Sequence, residues 1–166
     1  MIRGMGKGFA ADRVCSELIE RGVAGAYVGI GGDMHVSGES PDESGWMIGV
    51  DDPFNEGTDV AVIALREGGV ATSSRLHRAW NKGTHEIHHI VNPRTGEPVQ
   101  TKWVAITTVT GDAWWAEAWS KAAFIIGDES AWERLGAANV AAIAVDDKGM
   151  HLRSPEFGDI ATWLRS

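Results

Sequence analysis

Apolar residues recur at helical spacing in two long segments of this chain. In the first segment they stand three and four residues apart, at Ala11, Val14, Cys15, Leu18 and Ile19. This spacing places them on one face and predicts a helix over residues 8–21, closed by Gly22. The second segment, residues 113–126, is rich in Ala, Trp and Ile and ends at Gly127, so it also predicts a helix. A shorter helix is predicted over residues 131–135.

Short apolar runs bounded by turn residues predict strands between and after these helices. Gly31-Gly32-Asp33 and Asp146-Asp147-Lys148-Gly149 each join two such runs. Since the strands outnumber the helices and follow one another through hairpin-like turns, we expect an α+β fold with an antiparallel β-sheet core and packed helices. The predicted strands are residues 26–30, 34–36, 46–50, 59–65, 70–74, 104–109, 140–145 and 150–152.

The composition indicates one globular domain over residues 1–166. The chain is 43% hydrophobic and 23% charged, and it contains no repeat or linker that would divide it. Its net charge of −8 argues against non-specific nucleic-acid binding. The sequence has no run of about 18 apolar residues and no signal-peptide pattern, so we expect a cytoplasmic protein without a membrane span. The single cysteine, Cys15, excludes an internal disulfide and is expected to be a buried, inert thiol.

Residues 88–96, His-His-Ile-Val-Asn-Pro-Arg-Thr-Gly, combine a turn with reactive side chains. Pro93 presets φ for a tight turn, Asn92 can hydrogen-bond the backbone ahead of it, and Gly96 relieves crowding at the exit. An ordinary hairpin turn with chance polar residues is the alternative to a phosphate or leaving-group site. The turn would bring three polar side chains near one point: His89, Arg94 and Thr95.

Two glycine-rich segments are weaker signals of anion or ligand binding. Gly6-Lys7-Gly8 precedes a predicted helix, where backbone N–H groups and the positive helix end favour an anion. It lacks the Ser or Thr of a Walker A loop, and an exposed lysine at a flexible helix entry explains it equally. Gly31-Gly32-Asp33 lets a backbone approach a ligand beside a carboxylate, although an ordinary turn has the same composition.

Glu117 and Lys121 stand four residues apart on the otherwise apolar helix 113–126. On an exposed face such a pair contributes only about 0.2–0.5 kcal/mol. On a buried helix it costs desolvation, which favours a functional role as much as a structural one. The histidines His85, His88 and His89 fit no zinc-ligand spacing, and no cysteine lies near them, so zinc is not expected.

Taken in order, these segments resemble the family of ApbE-type FAD:protein FMN transferases. The likeness includes the family's glycine–lysine–glycine helix entry, its GGD turn, its tryptophan strand and D-P step, its A-T-S-G element, its H-I-I-D-P-R-T-G signature and its A-D-A-L-S-T-A helix. It spans residues 4 to about 127 and is specific because order and spacing agree. The matching positions are residues 4–12, 31–33, 46, 52–53, 71–74, 88–96 and 116–122.

The resemblance implies a T-fold-related, ApbE-like architecture that is N-terminally truncated, since it covers only the later part of the family's chain. It implies FAD as substrate, Mg²⁺ as cofactor and an FMN-acceptor flavoprotein as partner. Family members cleave the FAD pyrophosphate, transfer FMN to a Thr or Ser hydroxyl and release AMP. In such phosphoryl transfer, positioning and charge neutralisation dominate.

The same resemblance implies a set of site residues. His89 is the expected catalytic residue. The residues expected to bind FAD are Lys7, Asp33, Thr72, Ser73, His89, Ile90 and Arg94, of which Thr72, Ser73 and Arg94 are assigned on chemical grounds as phosphate contacts. The positions that match the family's metal ligands are the Gly4 carbonyl, the Glu117 carboxylate, and the backbone oxygen of Ser120 or Lys121.

Four residues depart from the family's pattern. Ser74 replaces glycine and Asn92 replaces aspartate, and both changes are mild. Glu117 replaces aspartate and keeps the charge on a longer arm, whereas Lys121 replaces threonine. Because like charges do not share a small site cheaply, Lys121 either points away from the metal position or partly substitutes for Mg²⁺. In either case we expect a Glu117–Lys121 contact in the absence of metal.

Two alternatives to a transferase remain open at the level of sequence. One is a non-catalytic flavin- or nucleotide-binding module, because much of the family's adenine-side pocket lies in the part that this sequence does not cover. The other is a structural domain that kept the fold and lost both ligands. Retained FAD binding without FMN transfer would distinguish the first of these from the transferase.

Overall fold

The computed structural model describes residues 5–76, 79–82 and 85–165, with backbone alone for 79–82 and 85–87. The helices are α1 (Gly6–Glu20), α2 (Ala113–Ile126), α3 (Ser130–Ala137) and α4 (Pro155–Ile160). The strands are β1 (Gly25–Ile30), β2 (Asp33–Gly38), β3 (Trp46–Asp51), β4 (Asp59–Leu65), β5 (Gly68–Ser74), β6 (Ala79–Lys82), β7 (His85–His88), β8 (Trp103–Thr110), β9 (Ala141–Asp146), β10 (His151–Arg153) and β11 (Ala161–Leu164).

The strands form three antiparallel sheets. The largest has six strands in the order β1-β2-β5-β8-β9-β10, the second has the order β11-β4-β3, and β6 pairs with β7. Helices α1 and α2 cover one face of the six-stranded sheet, and α3 packs beside α2. The three-stranded sheet and α4 pack on the other face. The expected α+β fold with an antiparallel core is therefore confirmed.

Two apolar clusters hold these layers together, one on each face of the six-stranded sheet. The cluster between the two sheets includes Val36, Ile63 and Phe157, all fully buried. The cluster beneath α2 and α3 includes Phe124 and Leu135, also fully buried. The central strands β5 and β8 are buried on both faces, as a strand between two layers must be. Their buried polar residues are therefore the ones that need an explanation.

The two longest helices cap each other. Asp12 on α1 accepts hydrogen bonds from the backbone N–H of Ala113 (2.8 Å) and Trp114 (3.0 Å), at the start of α2. In return, Glu117 Oε2 on α2 accepts one from the backbone N–H of Gly8 (3.0 Å), in the first turn of α1. The residues that precede the two helices, Met5 and Asp112, supply no side-chain cap. Two N–H groups at the start of α2 and one in the first turn of α1 thus bind a carboxylate of the other helix.

Glycines allow this close approach. A Cβ on Gly8 would lie 2.4 Å from the backbone oxygen of Ala113, and a Cβ on Gly69 of β5 would lie 2.1 Å from the Ala113 nitrogen. Both contacts are with backbone, which cannot turn aside as a flexible side chain can. Because Gly8 and Gly69 have no side chains, the start of α2 can lie directly against both α1 and β5.

Most of the predicted elements are present. Helix α2 has the predicted bounds, and its C-cap Gly127 is left-handed. Helix α1 ends before Gly22, whose φ is +87°. Cys15 is buried, and burial raises the pKa of its thiol, as expected of an inert side chain. The patterns did not predict the β6–β7 hairpin, α4 or β11. Among the described residues, no helix is long and apolar enough to cross a bilayer.

We expect Asp12→Ala to lower the free energy of unfolding by about 2 kcal/mol or more, because two N–H groups of α2 lose their acceptor. Asp112→Ala is the matched control. It removes the acid that precedes α2 but no side-chain cap, so its effect should stay within about 0.5 kcal/mol. Urea denaturation of both variants measures the difference. Equal losses would show that the cap from Asp12 adds nothing.

We expect Gly8→Ala to cost about 2–3 kcal/mol of stability, since its methyl group meets the backbone of Ala113. Gly6→Ala provides the comparison, because a Cβ at Gly6 has no atom within 4 Å. There alanine should leave stability unchanged or raise it by less than about 1 kcal/mol. Thermal unfolding of the pair tests the close contact, and a tolerated Gly8→Ala would contradict it.

Candidate functional site

Four charged side chains converge where α1, α2 and the β1–β2 turn meet. Lys7 lies in the first turn of α1, and Asp33 is the first residue of β2. Glu117 and Lys121 lie one turn apart on α2, and both act electrostatically on Asp33. The reciprocal caps bring these elements together. Lys7 and Glu117, which are more than a hundred residues apart in the sequence, therefore belong to one cluster.

Asp33 holds Lys7 in place. Its carboxylate is only 1% exposed, and Oδ2 lies 2.8 Å from Lys7 Nζ. Lys7 also donates to the Gly31 carbonyl (3.1 Å), while its side chain remains 42% exposed. Burial raises the pKa of Asp33, with Glu117 adding to the effect and the Lys7 ammonium opposing it. Asp33 thus works as an internal anchor, and Lys7 is the member of the pair that faces outward.

Glu117 uses both carboxylate oxygens inside the protein. Oε2 accepts from the backbone of Gly8, and Oε1 accepts from Lys121 Nζ at 2.6 Å. Glu117 is 1% exposed, whereas the Lys121 side chain is 32% exposed. The predicted Glu117–Lys121 contact is therefore confirmed. The carboxylate is buried, paired and hydrogen-bonded, which are the conditions under which a buried charge is tolerated.

Ser73 and Ser120 form a second buried contact beside Glu117. Their hydroxyl groups lie 2.9 Å apart, and Ser120 Oγ also donates to the Glu117 backbone oxygen at 3.2 Å. Ser120 is fully buried and Ser73 is 6% exposed. Successive residues of a strand point to opposite faces, so Ser73 faces α2 while Thr72 faces the other side of the sheet. The structure thus separates two residues that the sequence grouped as phosphate contacts.

Thr72 lines a cavity of about 820 Å³ on the side of the sheet away from α2. Its hydroxyl lies 2.8 Å from that of Thr107 on β8. Gly31 belongs to both regions, because its backbone lines the cavity while its carbonyl accepts from Lys7. Three large apolar side chains in the lining remain about half exposed: Tyr27, Met47 and Phe54. A cavity of this size and mixed lining is typical of small-molecule sites.

The loop after β3 forms one wall of this cavity. Burial of Asp52 opposes its charged form. However, hydrogen bonds from Asn55 Nδ2 and the Phe54 N–H, each 2.8 Å, and the Arg165 guanidinium hold its pKa below the usual value. Arg165 follows the edge strand β11, and its N–H donates to Val60. The ion pair with Arg165, a residue more than a hundred positions away in the sequence, therefore holds this loop in place.

Residues 88–96 form the predicted turn. Asn92 Oδ1 accepts from the Arg94 N–H (3.0 Å), and Gly96 has a φ of +75°. His88 is 5% exposed. Its Nδ1 accepts from the Ile90 N–H (3.3 Å), and its Nε2 lies 3.0 Å from the Val99 carbonyl. It therefore anchors the turn inside the protein.

The other residues of the turn divide between surface and core. His89 and Arg94 are exposed. Ile90 is 6% exposed and packs in the cluster beneath α2, so its side chain is a core residue. The turn therefore exposes the side chains of His89 and Arg94, which are able to reach an anion, whereas the buried His88 and Ile90 stabilise the turn itself.

The donor atoms around Glu117 do not fit the Mg²⁺ that the resemblance implies. Magnesium requires oxygen ligands in near-octahedral order at about 2.0–2.1 Å. Both Glu117 carboxylate oxygens are engaged, and Lys121 brings a positive charge to one of them. Gly4 lies outside the described residues. Among those described, no group of three or more His, Cys, Asp and Glu side chains is close enough to hold a metal ion.

The sequence did not reveal some residues that build the site. Asp12 lies in an Ala-Ala-Asp segment with no local signal, because the N–H groups it binds are a hundred residues away. Tyr27 and Phe54 read as ordinary residues of a strand and a loop. The one available signal was the Asp52-Pro53 step, where aspartate before proline is typical of a turn.

We expect Asp33→Asn to raise the unfolding midpoint by a few degrees at pH 7. Since burial raises the pKa of Asp33, the native state binds its proton more tightly than the unfolded chain does. Wild-type stability from this group is therefore greatest at low pH and is lost as the pH rises through the raised pKa. The difference in unfolding midpoint between Asp33→Asn and the wild type should therefore become smaller as the pH is lowered and Asp33 becomes neutral. Asp147→Asn, at an exposed hairpin, is the control. A pH-independent difference would contradict the expectation.

Comparison with known proteins identifies relatives over most of the chain. The FAD:protein FMN transferase of Escherichia coli (strain K12) is 24% identical over 157 residues, which cover 92% of this chain and 45% of that protein. The FAD:protein FMN transferase of Haemophilus influenzae is 27% identical over 134 residues, which cover 80% of this chain and 39% of that protein. The chain thus spans about half the length, or less, of the curated relatives it matches.

Solved structures share the fold. The ApbE protein of Thermotoga maritima superposes with a TM-score of 0.89 at 28% identity, over 98% of this chain and 53% of that one. The apo form of the flavinyl transferase ApbE of Pseudomonas stutzeri gives a TM-score of 0.81 at 24% identity, over 95% and 50%. The sequence model of the ApbE family matches residues 2–144. With that match over most of its length, the chain belongs to the ApbE family.

Proposed function

We propose that this chain is the later part of a flavin transferase that moves FMN from FAD to a Thr or Ser hydroxyl of a partner flavoprotein and releases AMP. One observation carries the proposal. The cavity of about 820 Å³ shares Gly31 with the cluster that holds Lys7, so a site for a planar ring adjoins a fixed cation. The names of the relatives support the same activity.

The apolar rim of the cavity suits the flavin end of the substrate. Tyr27, Met47 and Phe54 are about half exposed, and large apolar groups in this state gain by covering a ligand ring. The hydroxyl groups of Thr72 and Thr107 offer hydrogen bonds deeper in the lining. In the proposal these groups orient the flavin nucleotide, with Thr72 directed to its phosphate.

The charged cluster suits the pyrophosphate end. Lys7 stands at the N-terminus of α1, where backbone N–H groups and the helix dipole add to its positive charge. Lys121 is a second partly exposed ammonium next to it, and Arg94 is an exposed guanidinium on the turn. In the proposal these cations neutralise the pyrophosphate and stabilise the charge that develops on it.

The proposed reaction is one displacement at the FMN phosphorus of FAD. The acceptor hydroxyl oxygen forms a bond to that phosphorus, and the bridging phosphorus–oxygen bond to AMP breaks. AMP leaves with the electron pair of that bond, and the hydroxyl proton passes to a base. We assign the base to His89, an exposed residue on the turn, because an imidazole nitrogen is a common general base in proton transfer.

Three residues expected to touch FAD take supporting roles in this proposal. Asp33 anchors Lys7, Ser73 holds Ser120 on α2, and the Ile90 side chain packs in the core beneath the turn. Each is buried, so each acts through its neighbour. The proposal assigns no step to Mg²⁺, because the Lys121 ammonium already lies against the Glu117 carboxylate, which matches the family's metal position.

The pairing of Glu117 with Lys121 favours one alternative, because it puts an ammonium against the carboxylate that matches the family's metal position. A module that binds FAD without transferring FMN is therefore the second candidate. Incubating the protein with FAD and a Thr-containing acceptor domain separates the two. Mass spectrometry of the acceptor detects the gain of FMN, and chromatography detects AMP. Bound FAD with no modified acceptor and no AMP would establish the module in place of the transferase.

Within the transferase we expect His89→Ala to lower FMN transfer by about 10²–10⁴-fold, the range for loss of a general base. Because His89 is exposed, its melting temperature should change by only a degree or two. His88→Ala is the matched control at the neighbouring residue. Because the His88 imidazole is buried and hydrogen-bonded, this substitution should lower the melting temperature. Parallel losses of melting temperature and transfer in His89→Ala would assign it a structural role and remove it from the mechanism.

A further inference from the structure

We propose that the Lys121 ammonium takes the place of a divalent cation in this chain, so that its site binds the FAD pyrophosphate without Mg²⁺. The inference rests on the proposed function for the identity of its ligand. It concerns the cluster of Lys7, Asp33, Glu117 and Lys121, and it starts from the contacts of Glu117.

Both oxygens of Glu117 already have a partner inside the protein. One oxygen accepts from the Gly8 N–H of α1 at 3.0 Å, and the other accepts from Lys121 at 2.6 Å. Each oxygen keeps a second lone pair, so these hydrogen bonds alone do not exclude a metal ion. The positive charge of Lys121 does oppose one, because an ion at this carboxylate would lie next to the ammonium or would have to displace it. Displacement would lose a charge-assisted hydrogen bond at a carboxylate that is 1% exposed.

The charges of the cluster are already balanced. The ammonium groups of Lys7 and Lys121 match the carboxylates of Asp33 and Glu117, and the two pairs lie close enough to act on one another. Although Asp33 Oδ1 lies buried without a hydrogen-bond partner, a divalent ion added to these four groups would give the cluster a net positive charge. Uncompensated charge in a partly buried site is expensive, so the lysine excludes the ion by electrostatics as well as by position.

Lys121 can also supply part of the cation's chemistry toward phosphate. An ammonium group has three N–H donors, and among the described residues only Glu117 accepts from Lys121. The side chain is 32% exposed, so the remaining donors face outward. Glu117 fixes the nitrogen while its own position is fixed by α1. The result is a preorganised positive group beside Lys7, which is the arrangement that phosphate binding requires.

The test compares the wild type with Lys121→Thr, Lys121→Arg and Lys148→Thr. Threonine removes the cation and leaves a hydroxyl, arginine keeps the cation, and Lys148 is an exposed hairpin lysine that controls for loss of one positive charge. FAD affinity is measured by quenching of flavin fluorescence, in excess EDTA and in millimolar Mg²⁺. Calorimetric titration with Mg²⁺, with and without FAD, provides a readout independent of activity.

We expect the wild type, Lys121→Arg and Lys148→Thr to bind FAD equally well in EDTA and in Mg²⁺, to within about twofold. Lys121→Thr should bind FAD about tenfold more weakly in EDTA, the loss of one charge-assisted contact, and should recover in Mg²⁺. It should also bind Mg²⁺ more tightly than the wild type does. These results together would support the substitution of an ammonium group for the metal.

Other outcomes overturn the inference without touching the proposed function. If wild-type FAD affinity rises about tenfold or more with Mg²⁺, the site is a metal site and Lys121 lies outside it. Equal Mg²⁺ affinity of the wild type and Lys121→Thr leads to the same conclusion. If Lys121→Thr does not fold, the FAD affinity of the wild type in EDTA and in Mg²⁺ decides the matter, because a rise of about tenfold with Mg²⁺ would still overturn the inference. If the wild type binds no FAD under either condition, the proposed function fails. The Mg²⁺ titrations of the wild type and Lys121→Thr without FAD then still decide the inference.

Discussion

The reciprocal capping of α1 and α2 is the constraint on which the rest of the site depends. Each helix lacks a cap of its own and takes one from the other, through Asp12 in one direction and Glu117 in the other. This fixes both helix starts in one place and leaves no room for a side chain at Gly8. Lys7 and Lys121 then reach the same region because their helices can meet in only one way. The cluster is thus held by three hydrogen bonds from backbone N–H groups, two from α2 to Asp12 and one from α1 to Glu117.

The two faces of strand β5 show how the site divides its tasks. Ser73 points to α2, where its hydroxyl contacts Ser120, and Thr72 points into the cavity, where it contacts Thr107. The first pair lies in the dry layer that supports Glu117, and the second lines a space that a ligand can enter. Ser73 therefore supports the helix, and the adjacent Thr72 is available to a ligand. A shift of the strand register by one residue would exchange the faces on which these two side chains lie.

Sequence patterns were sufficient where the physical signal is local. The apolar period of α2 with its closing glycine, the short apolar runs of the predicted strands and the Asn-Pro turn depend on neighbouring residues, and all are present. Helix α4 is too short for a period, and its start at Ser154 depends on a cap and a proline. The roles of Asp12, Ser73 and Ile90 were set by distant partners. Only the fold decides which of two adjacent residues faces the ligand, and the resemblance alone located the region as a whole.

The fastening of the cavity wall links ligand binding to the edge of the smaller sheet. Asp52 is paired with Arg165, which follows β11, and β11 is an outer strand whose sheet neighbour among the described strands is β4. Outer strands open at a lower free energy than central ones. When β11 detaches, the loop that begins at Asp52 loses its guanidinium partner, and that wall of the cavity is released. A molecule that fills the cavity therefore stabilises the closed edge, and amide protons of β11 would exchange more slowly in its presence although none of them touches it.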